Sequence, residues 1–449
     1  MSVIYKTSIK KLLKHSAVLD IYYNKQDTPS SLSKKVDAKL YHFIVVNTQT
    51  IYVDIEKMNS TLEAVYTLWD NSDISNIYIH IPVLLLKDID TVEHILYEIV
   101  NTSLKNVFKS KKKIIITHDG DEDENLKDII SLIQKIQMAR SLSMLPANMA
   151  TPEKIANKLN DLYQPLSKIR TKILNKDYLK KHHFNLILSV NKGSKNDPCV
   201  LVVERKILPK YPTVCIIGKG ITFDSGGLAI KPLKYMKDMK FDKIGAVNGA
   251  MALLHLLEMK SLKHFNLVGI FPFAENVISE TAILPGDVIR SFSGKTVEII
   301  NPDAEGRLIL ADALAYAKKY KPDLIIDIAT LTGHAESINC WHNGYFFAEP
   351  NPLRSMFETR TNAIGERMIA MPPWSEYNEA LQSKVADLIN DSSSCDDSFT
   401  AALFLREFLP SNTDWIHIDL AHEQKNSIPK GTGIRSIVDI VKRYVPKKK

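Results

Sequence analysis

Val214-Cys215-Ile216-Ile217-Gly218-Lys219-Gly220-Ile221-Thr222-Phe223-Asp224-Ser225-Gly226-Gly227-Leu228-Ala229-Ile230-Lys231-Pro232 is the stretch that decides the fold. Four apolar residues run without alternation into glycine and charge, the pattern of a strand covered on both faces that ends in a ligand-bearing loop. Working outward, apolar runs at 186–190, 200–203, 267–271 and 324–328 read as further strands. They alternate with helical patterns at 244–257, 306–319, 399–409 and 433–442. This alternation predicts an α/β sheet sandwiched by helices.

Upstream the signal is weaker. Short apolar runs at 43–46, 77–86 and 114–116, with a helix-like stretch at 91–108, suggest a small α/β domain. The acidic stretch Asp119, Asp121, Glu122, Asp123, Glu124 has its glycine at the second position instead of the sixth, so it reads as a solvated turn and not a calcium loop. Leu126, Ile129, Ile130, Leu132, Ile133 and Ile136 then recur at helical spacing. Thr151-Pro152-Glu153 reads as a cap, an N1 proline and an acidic first turn. The expected organisation is an N-terminal α/β domain over 1–122, a linking helix over 123–145 and a larger domain over 146–449.

Composition sets outer bounds. The 449 residues, 45% hydrophobic and 24% charged, suit a soluble protein of about two domains. Cys199, Cys215, Cys340 and Cys395 form no CxxC pair, which argues against a disulfide framework or a cysteine zinc site. Lys10, Lys11, Lys14 and Asp20 interrupt any signal-peptide core, and no apolar run reaches the roughly 18 residues that span a bilayer. A cytoplasmic location with no membrane partner is expected. The net charge of +7 comes partly from Lys109, Lys111, Lys112, Lys113 and the tail Lys447 to Lys449. No nucleic-acid motif accompanies these, so a solvated surface is the favoured reading, and nucleic-acid binding is left as a weakly supported second role.

Two stretches carry chemistry. In the first, glycines at 218, 220, 226 and 227 let backbone come close to whatever occupies the site, while Lys219, Asp224 and Lys231 supply charge. It lacks the Walker pattern, and Phe223 breaks the GxSxG elbow around Ser225. In the second, Asn301-Pro302-Asp303-Ala304-Glu305-Gly306-Arg307-Leu308, Asp303 and Glu305 can point the same way from extended chain. An alternative has Asp303 capping the next helix and Arg307 pairing with Glu305. Together the stretches offer hard oxygen ligands and no HExxH or cysteine set. Asp224, Asp242, Asp303 and Glu305 match the charge of two dications, the arrangement for clamping the oxygens of a hydrolytic displacement. Ser293-Gly294-Lys295-Thr296 mimics a P-loop end but has Ile289 at the required glycine, and His182, His183, His417 and His422 lack ligand spacing.

NPDAEGRL at 301–308 and GKGITFDSGGLAIKP at 218–232 resemble the leucyl (cytosol) aminopeptidases. So do LPGDVIRSFSGKTVEII at 284–300, DIATLTG at 327–333, TAALFLREF at 400–408, WIHIDLA at 415–421 and GTGIRSIV at 431–438. The resemblance covers nearly everything after about residue 140. It implies two domains, the larger built on a mixed, mostly parallel sheet. It also implies a homohexamer acting on short peptides with a free N-terminus and needing two divalent ions per subunit, zinc or manganese, with magnesium also admissible. Lys219, Asp224, Asp242 and Glu305 are implied as ligands of one ion, and Asp224, Asp303 and Glu305 of the other. Lys231 is implied to stabilise the oxyanion, and Arg307 to hold a bicarbonate that relays the proton from the attacking water.

Departures from the family pattern fall near the substrate. Lys243 and Ile244 follow Asp242 where Met-Gly is usual, Pro302 replaces a threonine, and His334 follows TLTG. Met239, Lys243, Ala304, Thr330, Leu331 and Gly333 are expected around the pocket for the first side chain, which looks apolar and suited to leucine or methionine. An inward-pointing Lys243 would shift the preference toward acidic residues. The alternative is a catalytically weak nucleotide-binding or DNA-binding protein on the same scaffold.

Overall fold

The computed structural model describes residues 124–205, 208–333, 343–372, 374–392, 397–420, 424–425 and 428–446, together with 2–6, 17–24, 40–45, 49–54, 76–81, 90, 92–94, 96–97 and 113–118. The chain falls into two compact units, Met1–Gln134 and Lys135–Lys449, the division lying inside the helix Glu124–Ser143. In the first unit a six-stranded sheet runs Ser2–Lys6, Lys113–His118, Asn76–Ile81, Ala17–Asn24, Leu40–Val45, Gln49–Asp54. Its first four strands are parallel and its last two antiparallel. Most of the helix-like stretch 91–108, the acidic run 119–123 and the lysines 109–112 and 447–449 lie outside the described residues.

The second unit is built on a nine-stranded sheet. From one edge it runs Ile369–Ala370, Gly344–Glu349, Asp414–Leu420, Leu324–Ala329, Thr213–Gly218, Asn266–Asn276, Cys199–Arg205, Ile169–Leu174, with Gly220–Asp224 also paired to Asn266–Asn276. The four central strands, 414–420, 324–329, 213–218 and 266–276, are mutually parallel and buried along their whole length. Antiparallel pairs toward both edges make the sheet mixed.

Alternate side chains of these strands meet different helices. Ile216, Phe271 and Ile328 face Gly249 of the helix Ile244–Glu258. Cys215, Ile217, Ile270 and Ile325 join Leu308, Leu310 and Leu314 of the helix Gly306–Ala317 in one apolar cluster. A sheet sandwiched in this way buries both faces, which is why its central strands read as unbroken apolar runs.

One predicted strand is wrong. Residues 185–190 form the short helix Asn185–Val190, whose backbone N–H groups at Leu186 and Ile187 donate to Asp312 Oδ2 at 3.0 and 3.2 Å. The strand Thr296–Glu298 turns back on Val288–Arg290 through Gly294 at φ +94°. The SGKT stretch is thus a hairpin turn. Thr151 occupies the N-cap before the helix Pro152–Tyr163 without a side-chain cap bond.

Candidate metal centre

The site is assembled at the carboxyl ends of the central parallel strands, where open α/β sheets place their ligands. Lys219 leaves the end of Thr213–Gly218; its N–H donates to Ile328 O at 3.0 Å and its carbonyl accepts from Ala246 N at 2.7 Å. Asp224 ends the neighbouring strand Gly220–Asp224. Asn276 ends Asn266–Asn276 and binds both functional stretches, donating to Asp224 Oδ1 at 2.8 Å and to Pro302 O at 3.1 Å, while its own carbonyl accepts from Ser225 N at 2.8 Å. Gly226 takes φ +86°, and a Cβ there would lie 2.9 Å from Asp303 Oδ1. A Cβ on Gly306 would lie 2.7 Å from Lys219 Nζ, so only glycine lets that lysine cross the start of the helix.

The implied ligands converge. One carboxylate oxygen each from Asp224, Asp242 and Glu305 lies within 4.8 Å of the others, all three residues buried. Lys219 Nζ is 2.9 Å from Asp242 Oδ1 and 3.0 Å from Glu305 Oε1, and donates to Thr330 O at 2.7 Å. Lys231 Nζ is 2.9 Å from Asp224 Oδ2 and 2.6 Å from Asp303 Oδ1. Thr330 Oγ1 donates to Asp242 Oδ1 at 2.8 Å. The other oxygen of that carboxylate, Oδ2, is buried without a hydrogen-bond donor.

Four buried or half-buried carboxylates against two ammoniums leave the cluster short of positive charge, and the titration behaviour follows. Burial, with the neighbouring carboxylates, raises Asp242 and Glu305 above the usual carboxylate range, and pushes Asp303 up to about 7. Burial alone would lower Lys219 and Lys231, but the surrounding carboxylates lift both above the ordinary lysine value. A buried carboxylate oxygen without a donor and a deficit of cations are what a dication would relieve. The donor set, hard oxygens with one amine, fits a divalent metal ion.

Among the pocket residues, Met239 is half-buried in the turn Met239–Phe241 just before Asp242. Ala304 lies between the implied ligands Asp303 and Glu305, and Thr330, Leu331 and Gly333 follow the strand Leu324–Ala329. Lys243 departs from expectation. It is fully buried, and its ammonium donates to Ser143 O and Leu145 O at 2.9 Å each and to Lys240 O at 2.5 Å. Its ammonium is turned to backbone carbonyls of this chain, an orientation that gives no support to an acidic preference. His334 and His422 lie outside the described residues.

The alternative pairing of Arg307 with Glu305 is also not what forms. Arg307 Nη1 donates to Asn390 O at 2.8 Å and approaches Asp391 Oδ1 at 3.4 Å, and Nη2 pairs with Asp397. Glu305, not Asp303, takes the N-cap position, without a side-chain cap bond. The Arg307 guanidinium therefore already carries two carboxylates of this chain, while its Nε is buried without an acceptor.

The residue reading missed several supports. Asp419 accepts from Leu331 N at 2.8 Å and from the hydroxyls of Thr332 and Tyr345 at 2.8 and 2.6 Å, which fixes the loop whose Thr330 holds Lys219 and Asp242. Asn390 Nδ2 donates to Asn301 O at 2.7 Å, and its Oδ1 accepts from Ile300 N at 2.8 Å. A polar residue inside a fully buried strand, as Asp419 is in Asp414–Leu420, is the one signal available beforehand.

Comparison with known proteins adds an independent line. Residues 137–438 match the model of the cytosol aminopeptidase family, catalytic domain. A probable cytosol aminopeptidase of Legionella pneumophila (strain Corby) is 35% identical over 337 residues, 74% of this chain and 68% of the relative. One from Geobacter sulfurreducens is 37% identical over 357 residues, 77% and 69% of the two chains. One from Phytoplasma mali is 33% identical over 359 residues, 76% and 71%. Among solved structures, the bottromycin maturation enzyme BotP in complex with Mn superposes with a TM-score of 0.76 at 24% identity, covering 86% of this chain and 87% of that one, a likeness of fold. With the strand-end carboxylates in place and the match spanning both functional stretches, the chain belongs to the cytosol aminopeptidase family and is a metal-dependent, leucyl-type aminopeptidase.

Proposed function

We propose that the chain releases apolar N-terminal residues, leucine or methionine, from short peptides, using two divalent ions held by Lys219, Asp224, Asp242, Asp303 and Glu305. The single observation that carries this is the cation deficit of the strand-end cluster, with Asp242 Oδ2 buried and without a donor. Bound there, the ions supply Lewis acidity toward the scissile carbonyl and the attacking water.

The remaining roles fall to the chain. Lys231, 17% exposed at its side chain and held between Asp224 and Asp303, presents an ammonium at the edge of the cluster where charge on the carbonyl oxygen develops. Thr330 and Asp419 hold the loop beside it. The half-buried Met239 and Leu331, with the buried Ala304, support an apolar pocket. The nucleotide-binding alternative has little to draw on, since the N–H groups of Gly226 and Gly227 donate to Asp224 Oδ1 and Ser225 Oγ and do not point at a phosphate. Association into a homohexamer in the cytoplasm completes the reading; the exposed Leu228 and Ile230 on the loop after Asp224, with Leu233 and Tyr235 of the short helix Leu233–Met236, support self-association, and no helix among the described residues is long and apolar enough to cross a membrane.

Leucyl p-nitroanilide hydrolysis, measured with metal content, tests the proposal. Chelation is expected to abolish turnover, and zinc or manganese to restore it as about two ions per chain are taken up. Hydrolysis that persists in fully stripped protein would sink it.

A further inference from the structure

We infer that Asp397 is a built-in anion on Arg307, so that the reaction proceeds without bicarbonate at that position. The inference rests on the aminopeptidase reading but concerns only what neutralises the arginine.

Arg307 presents its donors in a fixed planar fork that one carboxylate or bicarbonate can grip. Here the side chain is only 2% exposed, and Nη2 is taken by Asp397 while Nη1 is shared by Asn390 O and Asp391 Oδ1. Asp391 cannot swing aside freely, because its Oδ2 accepts from Asn301 Nδ2 at 2.8 Å and its Oδ1 from Ser392 N at 3.0 Å. Two carboxylates on one guanidinium already exceed its charge. Nε alone is buried without an acceptor, so a bicarbonate that gripped the fork with two oxygens would still have to displace a carboxylate, and one held at Nε alone would face both of them in a place water hardly reaches to screen.

Asp397 is the better candidate for the anion's place. It opens the helix Asp397–Arg406, where the helix dipole favours negative charge, and its side chain remains 27% exposed. The next residue links it to the site: Ser398 Oγ lies 3.4 Å from Thr332 Oγ1, in the loop that Asp419 holds. The carboxylate offers the same O–C–O fork as bicarbonate, supplied by the chain instead of by solution. Asp397 is thus a positioning residue for Arg307.

The test uses the full-length, metal-loaded chain in buffer purged of carbon dioxide and then titrated with bicarbonate. Wild type is expected to hold a flat rate. Asp397→Ala is expected to lose about tenfold to a hundredfold in purged buffer and to recover with bicarbonate or formate, since the vacated fork then accepts a soluble anion. Line broadening of carbon-13 bicarbonate gives a readout that needs no turnover: the variant broadens the signal, wild type does not, and adding Arg307→Ala to the variant abolishes the effect. A wild-type rate that rises from the purged baseline with bicarbonate, or broadening by wild type equal to that of the variant, overturns the inference. Should wild type hydrolyse nothing, the aminopeptidase reading fails while the labelled-anion measurement still decides this one.

Discussion

The acidic cluster at the strand ends and the carbonyl-lined hole beside Asp242 each enclose a lysine, with opposite electrostatic results. Lys219 sits among carboxylates and is raised above its ordinary value, whereas Lys243 sits among backbone carbonyls and burial lowers it to about 7, with the Lys240 charge adding to the effect. Carbonyl dipoles satisfy hydrogen bonds without returning the full solvation of an ammonium, while carboxylates more than return it. The contrast separates a place built to hold charge from a place built to hold backbone, and burial of the lysine alone would not have distinguished them.

The comparison breaks most visibly if the cluster is altered. Asp303→Ala and Lys231→Ala should each lower turnover of leucyl p-nitroanilide by roughly a hundredfold to a thousandfold. Metal analysis of the purified variants should show loss of an ion only in the first. Retention of two ions by Asp303→Ala would remove that residue from the ligand set.

At the other lysine the expected effect is on stability. Lys243→Met removes the donor from one buried and two part-buried carbonyls and should cost about 1–3 kcal/mol by denaturant titration. A panel of N-terminal residues should give the wild-type profile; a gain or loss specific to acidic N-termini would mean that the ammonium reaches the substrate after all.

A third buried charge sharpens the rule at smaller scale. Asp312 accepts only backbone N–H groups, from Leu186, Ile187 and Phe292, and burial pushes its carboxyl up to about 7 despite them. A folded pKa above the unfolded one, about 4, means a contribution to stability that is complete below about 4 and lost as pH rises through about 7. Thermal melts of wild type and Asp312→Asn across that range should therefore converge or cross, with wild type declining relative to the variant. Parallel curves would show that Asp312 stays ionised.

These charges also mark how far the chain could be read in advance. The central strands were legible because a doubly covered sheet demands unbroken apolar runs, and the acidic cluster because so many carboxylates lie in or near two glycine-bearing loops. Residues 185–190 were misread since six residues of Asn-Leu-Ile-Leu-Ser-Val satisfy either period, and what settles the helix is Asp312, 126 residues from Leu186. Asn276, Asp391, Asp397 and Asp419 were passed over for the same reason: each acts across 26 to 90 residues on a loop that carries no local trace of its partner. Lys243 was placed near the substrate by adjacency to Asp242, although the side chain leaves the backbone in another direction.

Asn276 has a consequence for anyone who would transplant this centre. One amide side chain from the third strand end laces the loop carrying Asp224 to the loop carrying Asp303 and Glu305. Grafting either loop onto a foreign sheet would deliver its carboxylates without the stitch that sets their spacing, so the smallest portable piece is the two paired strand ends at Asp224 and Asn276 moved together with the 301–305 loop.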